Sequence, residues 1–195
     1  MKTVIIKYNA GNVQSVMYAL DRIGVDYLYT DDEAEIRSAD KVIFPGVGEA
    51  STTMHYLREK GLDKIIPSLK QPVLGTCVGM QLMCRFSEEN NTTCMGIFDV
   101  DVKRFPATPG IKVPHMGWNN ITNYKSDLTK GLIDNAYVYF VHSYAAPVCE
   151  YTVATCDYIS PFSAMLHKDN FHAAQFHCEI SGDVGQKILE NFLKR

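Results

Sequence analysis

The sequence predicts an α/β fold: a mostly parallel sheet with helices on both faces and a smaller antiparallel extension. Three observations carry this reading. As far as Phe86, short β-branched or aromatic runs alternate with amphipathic stretches. Strands that alternate with helices form a parallel sheet covered on both faces, with connections of one hand. From about Ile97 that rhythm gives way to strand-like runs separated by turns, and the chain then closes on a helical face.

In chain order, Thr3 to Lys7 reads as the first strand and Val13 to Ile23 as a helix. Tyr27 to Tyr29 and Lys41 to Phe44 read as strands, Ser51 to Leu57 as a helix, Val73 to Gly75 as a strand and Gly79 to Phe86 as a helix. Phe98 to Arg104, Trp118 to Ile121, Tyr137 to Ala145, Tyr151 to Cys156 and Phe171 to Phe176 read as further strands. Asp183 to Lys194 places apolar residues at 184, 188, 189, 192 and 193, one face of a helix. Phe105 to Pro114 holds three prolines and one glycine and reads as an ordered surface connection. No repeat or linker interrupts the pattern, and 195 residues suit one compact domain spanning 1–195.

Composition narrows the function classes. Apolar residues make up 46% and charged residues 21%, which fits a globular chain rather than a disordered or membrane one. The formal charge is −3 and the 19 Lys and Arg are scattered, which speaks against binding a phosphate backbone. The opening MKTVIIKYNAGN is interrupted by Lys7, too short for a signal sequence, so the expected location is cytoplasmic. In that compartment the six cysteines are expected to be reduced thiols, and the Asn91-Thr92-Thr93 sequon is expected to be accidental. No C-x-x-C pair occurs and Cys149 with Cys156 lacks zinc-site spacing, so no metal is expected.

The strongest local signal is PVLGTCVGMQLM, where an apolar strand ends in Gly75-Thr76-Cys77-Val78-Gly79 and a helical stretch follows. Strand-turn-helix elbows of this kind hold a nucleophile on a strained turn flanked by glycines, because bulkier neighbours would clash with the strand and helix. The thiolate is the reactive form of cysteine, and a helix N-terminus beside an imidazolium favours it. A buried cysteine in a tight turn is the plainer alternative. Cys84, two helical turns further on, has no glycine frame and reads as core.

A cysteine hydrolase also needs a base that takes the thiol proton and returns it to the leaving amine, and an acceptor that fixes the base's tautomer. Gln175-Phe176-His177-Cys178-Glu179 supplies both. If strand alternation persists past Phe176, His177 and Glu179 project to the same side and Cys178 to the other. Among the remaining histidines, His55 reads as helix surface, His167 and His172 as loop or strand-edge residues, while His115 and His142 stand in distinctive segments.

These motifs resemble the class I, triad-type glutamine amidotransferases over nearly the whole length. VIFPGVG at 42 to 48 resembles the family's oxyanion strand, GTCVGMQ at 75 to 81 its nucleophile elbow and QFHCEISGDVG at 175 to 185 its histidine-glutamate segment. Within the family, KVPHMGWN at 112 to 119 and YFVHSYAA at 139 to 146 resemble the glutaminase subunit of imidazole glycerol phosphate synthase. Two departures stand out: the family usually has proline where Cys178 stands and often lysine where Ile180 stands.

The resemblance implies a flavodoxin-like fold and hydrolysis of glutamine to glutamate and ammonia, without a cofactor, by Cys77, His177 and Glu179. It implies oxyanion donors at Val47 and Val78 and glutamine contacts at Gly48, Gln81, Ser143 and Tyr144. It also implies a heterodimer with a (β/α)8-barrel cyclase that receives the ammonia for histidine biosynthesis. The interface candidates are Gly11, Asn12, His115, Met116, Trp118 and Asn119. Three readings stay open beside it: a glutaminase for another synthase, such as anthranilate or carbamoyl phosphate; a Cys-His-Glu peptidase-like hydrolase; and a non-catalytic regulatory subunit.

Overall fold

The computed structural model describes residues 1–8 and 13–194. Its first part alternates β1 (Thr3–Ile6), α1 (Gln14–Ile23), β2 (Tyr27–Thr30), α2 (Glu33–Arg37), β3 (Lys41–Phe44), α3 (Ala50–Glu59), α4 (Leu62–Ser68), β4 (Val73–Thr76) and α5 (Val78–Met83). Strands dominate the remainder: β5 (Cys84–Ser87), β6 (Thr92–Thr93), β7 (Phe98–Arg104), β8 (His115–Asn120), β9 (Tyr137–His142) and β10 (Tyr144–Ala145). Then follow β11 (Thr152–Asp157), β12 (Pro161–Lys168), β13 (Phe171–Ala174) and the closing α6 (Gly182–Leu193).

The main sheet has the order β11-β12-β13-β4-β3-β1-β2. From β13 to β2 all neighbours are parallel, while β12 and β11 add antiparallel strands at one edge. A four-stranded sheet, β10-β7-β5-β6, and the β8–β9 pair complete the extension. The fold class expected from the βα rhythm is the one observed.

Burial explains the layers. In β1, Val4 and Ile6 enter one apolar cluster and Ile5 the other; in β3, Val42 and Phe44 part from Ile43 in the same way. The first cluster is roofed by Ile36, Leu57, Ile66 and Leu82 from α2 to α5, the second by Leu20 of α1 and Ile188 and Phe192 of α6. Successive side chains of a strand point to opposite faces, so a strand buried on both reads as a continuous apolar run. Each fully buried Leu, Ile or Phe contributes about 1.5–3 kcal/mol of transfer free energy. Side-chain caps fix two helix starts: Asp32 accepts from the Glu35 amide at 2.9 Å, and Glu49 from the Ser51 amide at 2.8 Å.

Several boundaries differ from the sequence reading. The helix expected over Gly79 to Phe86 stops at Met83, because Cys84 turns to extended backbone with ψ 178° and pairs with Phe98 of β7. The strand expected to run to Ala145 breaks at Ser143, and the one expected from Trp118 begins at His115. β13 ends at Ala174, so the residues after it are not strand. His172 is buried in β13, between β12 and β4, rather than at a strand edge. The helices α2 and α4 and the strand β12 were not anticipated.

Candidate active site

Three neighbouring parallel strands, β3, β4 and β13, deliver their carboxyl ends to one place. That is where open α/β sheets bind ligands. β4 ends in Cys77, which has φ 50° and ψ −114° before α5 begins. A non-glycine residue at positive φ is strained and persists only when its surroundings over-determine it. Here the Cys77 amide donates to the Ala174 carbonyl of β13 at 2.8 Å, and the Cys77 carbonyl accepts from the Gln81 amide at 3.2 Å.

The glycines around the elbow are required by close backbone approach. A Cβ on Gly46 would lie 2.1 Å from both the Thr76 carbonyl oxygen and the Gly79 nitrogen. One on Gly79 would lie 2.3 Å from the Phe44 carbonyl oxygen. The turn after β3 therefore packs main chain against main chain on the elbow at Cys77.

His177 and Glu179 meet across a 3-10 turn at Cys178–Ile180. The imidazole Nδ1 lies 2.7 Å from Glu179 Oε1, with both side chains about nine-tenths buried. The contact expected from strand alternation thus forms, but by a turn. Cys178 points into the apolar core, as expected for the residue between them. The other carboxylate oxygen, Oε2, has no hydrogen-bond partner among the described residues. A buried carboxylate with so few partners interacts strongly with the one it has.

Burial by itself lowers the His177 pKa, but hydrogen bonding with Cys77 and Glu179, and the charge of both, raise it from 6.5 to about 10. The imidazole therefore holds a proton firmly beside the sulfur. Its main chain is pinned as well: the His177 amide donates to Tyr139 O at 3.0 Å, and Ser181 Oγ donates to His177 O at 2.6 Å. Ser181 is a brace the sequence reading did not single out. Its only signal is a serine just before α6, and its hydroxyl serves the histidine rather than capping the helix.

A cleft of about 250 Å³ opens over Cys77. Gly48, Val78, Gln81, Ser143 and Tyr144, all singled out from the sequence, line it. Glu89 and His142 line it too and were not among the expected substrate contacts. Glu89 follows β5 in a short 3-10 turn, and a pair of acidic residues there gave no periodic signal. Burial raises its pKa, while the Ala50 amide, which donates to its Oε2 at 2.8 Å, opposes the rise.

Val47 is not among the cleft-lining residues. Tyr8, buried just after β1, donates its hydroxyl hydrogen to the Pro45 carbonyl. Burial pushes the phenol's pKa well up, and a backbone hydrogen bond from Val47 to the same oxygen partly offsets this. The two expected oxyanion donors thus differ: Val78 borders the cleft and Val47 is engaged with Tyr8.

Of the interface candidates, Met116 and Trp118 are exposed at 63% and 55%, and the Trp118 ring stands edge-on to Tyr139. Asn119 is partly exposed beside them. His115 is buried at 3% and stacks between Phe140 and Tyr158, so it offers no surface to a partner. Gly11 and Asn12 lie outside the described residues. The cysteines are free, and no group of three metal-ligating side chains occurs among the described residues.

The family model for class-I glutamine amidotransferases matches residues 4–195. The chain belongs to the class-I glutamine amidotransferases. As a member of that family, it is 62% identical over 195 residues to the imidazole glycerol phosphate synthase subunit HisH of Bacteroides fragilis strain YCH46, covering 100% of both chains. It is 59% identical over 194 residues to the HisH subunit of Bacteroides thetaiotaomicron, covering 99% of each. The solved structure of a glutamine amidotransferase from Thermotoga maritima shares the fold, with TM-score 0.63 and 16% identity. That match covers 100% of this amidotransferase and 83% of the other chain.

Proposed function

We propose that this chain is the glutaminase subunit of an imidazole glycerol phosphate synthase, hydrolysing L-glutamine to L-glutamate and ammonia in histidine biosynthesis. The observation that carries the reading is the His177–Glu179 pair at 2.7 Å, whose imidazole is held protonated in part by the neighbouring Cys77, a cysteine at positive φ. The relatives' full-length identity supports the pathway.

In this mechanism Cys77 sulfur attacks the side-chain amide carbon of glutamine, and His177 carries the thiol proton to the departing nitrogen. Water then hydrolyses the γ-glutamyl thioester, with the same imidazole as base. Glu179 holds the Nδ1 proton and the developing charge. Gln81 Nε2 already donates to Tyr144 O at 2.9 Å and Gln175 Oε1 at 3.0 Å, so Gln81 meets substrate with its oxygen, as an acceptor. Glu89 lines the cleft, and its carboxylate pairs with the α-ammonium group of the bound glutamine.

The Val78 amide serves the oxyanion from the start of α5. The Val47 amide serves it once the turn after β3 releases Tyr8, and a missing donor costs about 10²–10³ in rate. The isolated subunit is therefore slow and its partner speeds it. That partner is a (β/α)8-barrel cyclase in a cytoplasmic heterodimer, docked on the face that exposes Met116 and Trp118. Aromatic side chains that become buried on docking carry much of an interface's energy. No helix among the described residues is long and apolar enough to cross a membrane.

The test is imidazole glycerol phosphate formation by the chain mixed with its cyclase, supplied with glutamine or with ammonium salt. Cys77→Ala should abolish the glutamine-dependent reaction and spare the ammonium-dependent one. Retention of glutamine-dependent turnover would remove the proposal.

A further inference from the structure

Two runs of hydrogen bonds meet in the cleft wall at the Tyr144 carbonyl, and one of them continues to the Cys77 sulfur. That main-chain carbonyl can only accept. His142 Nδ1 meets it at 2.8 Å, so Nδ1 carries that ring's hydrogen. Burial lowers the pKa of His142 to about 3 and that of His115 to about 4, and both rings are neutral at pH 7. His142 Nε2 is then bare and accepts from His115 Nδ1 at 3.1 Å. His115 Nε2 accepts in turn from Asn119 Nδ2 at 3.3 Å.

On the other side, the Gln81 amide nitrogen gives one hydrogen to Tyr144 O and the other to Gln175 Oε1. That contact orients the Gln175 carboxamide. With its oxygen turned to Gln81, its Nε2 faces Cys77 Sγ at 4.0 Å. Gln175 is fully buried and its main-chain amide is tied to Ala164 O at 2.8 Å, so the carboxamide has little freedom to turn away.

We infer that Gln175 is a hydrogen-bond donor to the nucleophile's sulfur, aimed by Gln81, which is itself held by the Tyr144 carbonyl. The inference rests on Cys77 as the nucleophile. At this separation a neutral thiol gains little from an N–H donor. A sulfur anion gains more, because donors to charged acceptors are about twice as strong. The anion exists before attack and again when the thioester is hydrolysed, so the donor acts on the chemical step and not on glutamine binding. Asn119, beside the exposed Trp118 on β8, begins the run that ends on the same Tyr144 carbonyl.

Two variants test it in the complex with the cyclase. Gln175→Glu keeps the acceptor for Gln81 and replaces only the donating amino group; Gln175→Met keeps the length and buries no charge. The expected loss is roughly 10- to 100-fold in kcat for glutamate release, as for one hydrogen bond to a charged group. In Gln175→Glu, which keeps the contact that orients Gln81, KM for glutamine should stay within about 2-fold. Alkylation of Cys77 by iodoacetamide without glutamine, followed by peptide mass spectrometry, should slow by a similar factor. Should Gln175→Glu lack the native circular dichroism, Gln175→Met decides alone on kcat and alkylation rate. Wild-type kcat and alkylation rate in the folded variant, with Cys77→Ala inactive, would overturn the inference and leave the nucleophile in place. Glutamate release by Cys77→Ala would instead remove the reading on which it rests.

Discussion

His177 and Glu179 are separated by one residue, and the imidazole Nδ1 stands 2.7 Å from the carboxylate Oε1 across a tight turn. Because burial opposes charge on the ring, the proton held there reflects the two partners, Cys77 and Glu179, rather than exposure. Glu179→Gln removes the carboxylate's charge at nearly constant shape. Its kcat for glutamate release should fall about 10²-fold or more, with a smaller change in KM. Steady-state assays in the presence of the cyclase measure both.

The same ring makes stability depend on pH. Its folded pKa, about 10, lies above the unfolded value of 6.5. Its stabilisation is therefore fully present below about pH 6.5 and is lost as pH rises through about 10. Urea unfolding at successive pH values should show this alkaline decline in the wild type and a weaker one in His177→Asn.

His115 behaves in the opposite sense. Burial lowers its folded pKa to about 4, so its contribution is present above pH 6.5 and is lost as pH falls toward 4, where the unfolded chain binds a proton first. His115→Phe retains the stack between Phe140 and Tyr158 and removes the titration. The variant should show a flatter acid limb. It should also be about 1–3 kcal/mol less stable at pH 7, because His142 Nε2 loses its donor.

Gly46→Ala tests the backbone packing at the elbow. The added carbon would fall 2.1 Å from the Thr76 carbonyl, and main chain cannot yield as a flexible side chain does. The expected cost is about 3 kcal/mol or more, with loss of glutamate release in whatever fraction remains folded. Thermal unfolding and the glutaminase assay together separate the two effects.

Tyr8→Phe removes the hydroxyl that engages Pro45 and Val47 while keeping the ring packed on Phe44. The glutaminase rate of the isolated subunit should rise by roughly 10-fold, part of the value of one oxyanion donor. The stimulation by the cyclase should shrink accordingly. An unchanged basal rate would show that the Tyr8 contact does not restrain the turn.

The elbow was legible in the sequence because its chemistry imposes residue types: only glycine fits at Gly79, where a Cβ would meet the Phe44 carbonyl, and a strand run must precede Cys77. The parallel core was legible for a similar reason, since strands buried on both faces read as unbroken apolar runs such as Val4 to Ile6. What was not legible depends on pairing at a distance. Cys84 to Phe86 reads as the end of the helix that starts at Gly79, and its partner β7 turns it into a strand. β12 opens on Pro161 and mixes Ser163 and Ala164 into its run, so it lacks a β-branched signature. His115 and His142 lie 27 residues apart and meet because the β8–β9 register sets them opposite one another. Glu89 reaches the cleft only through the turn that follows β5.

The central claim, that Cys77 forms a covalent intermediate with glutamine, is most directly tested by intact mass and peptide mapping after rapid acid quench with glutamine and the cyclase. A γ-glutamyl adduct on the Cys77 peptide, absent from Cys77→Ala and accumulating in step with early glutamate release, is the expected result. An adduct on another of the six cysteines, or steady glutamate release with none on Cys77, would contradict it.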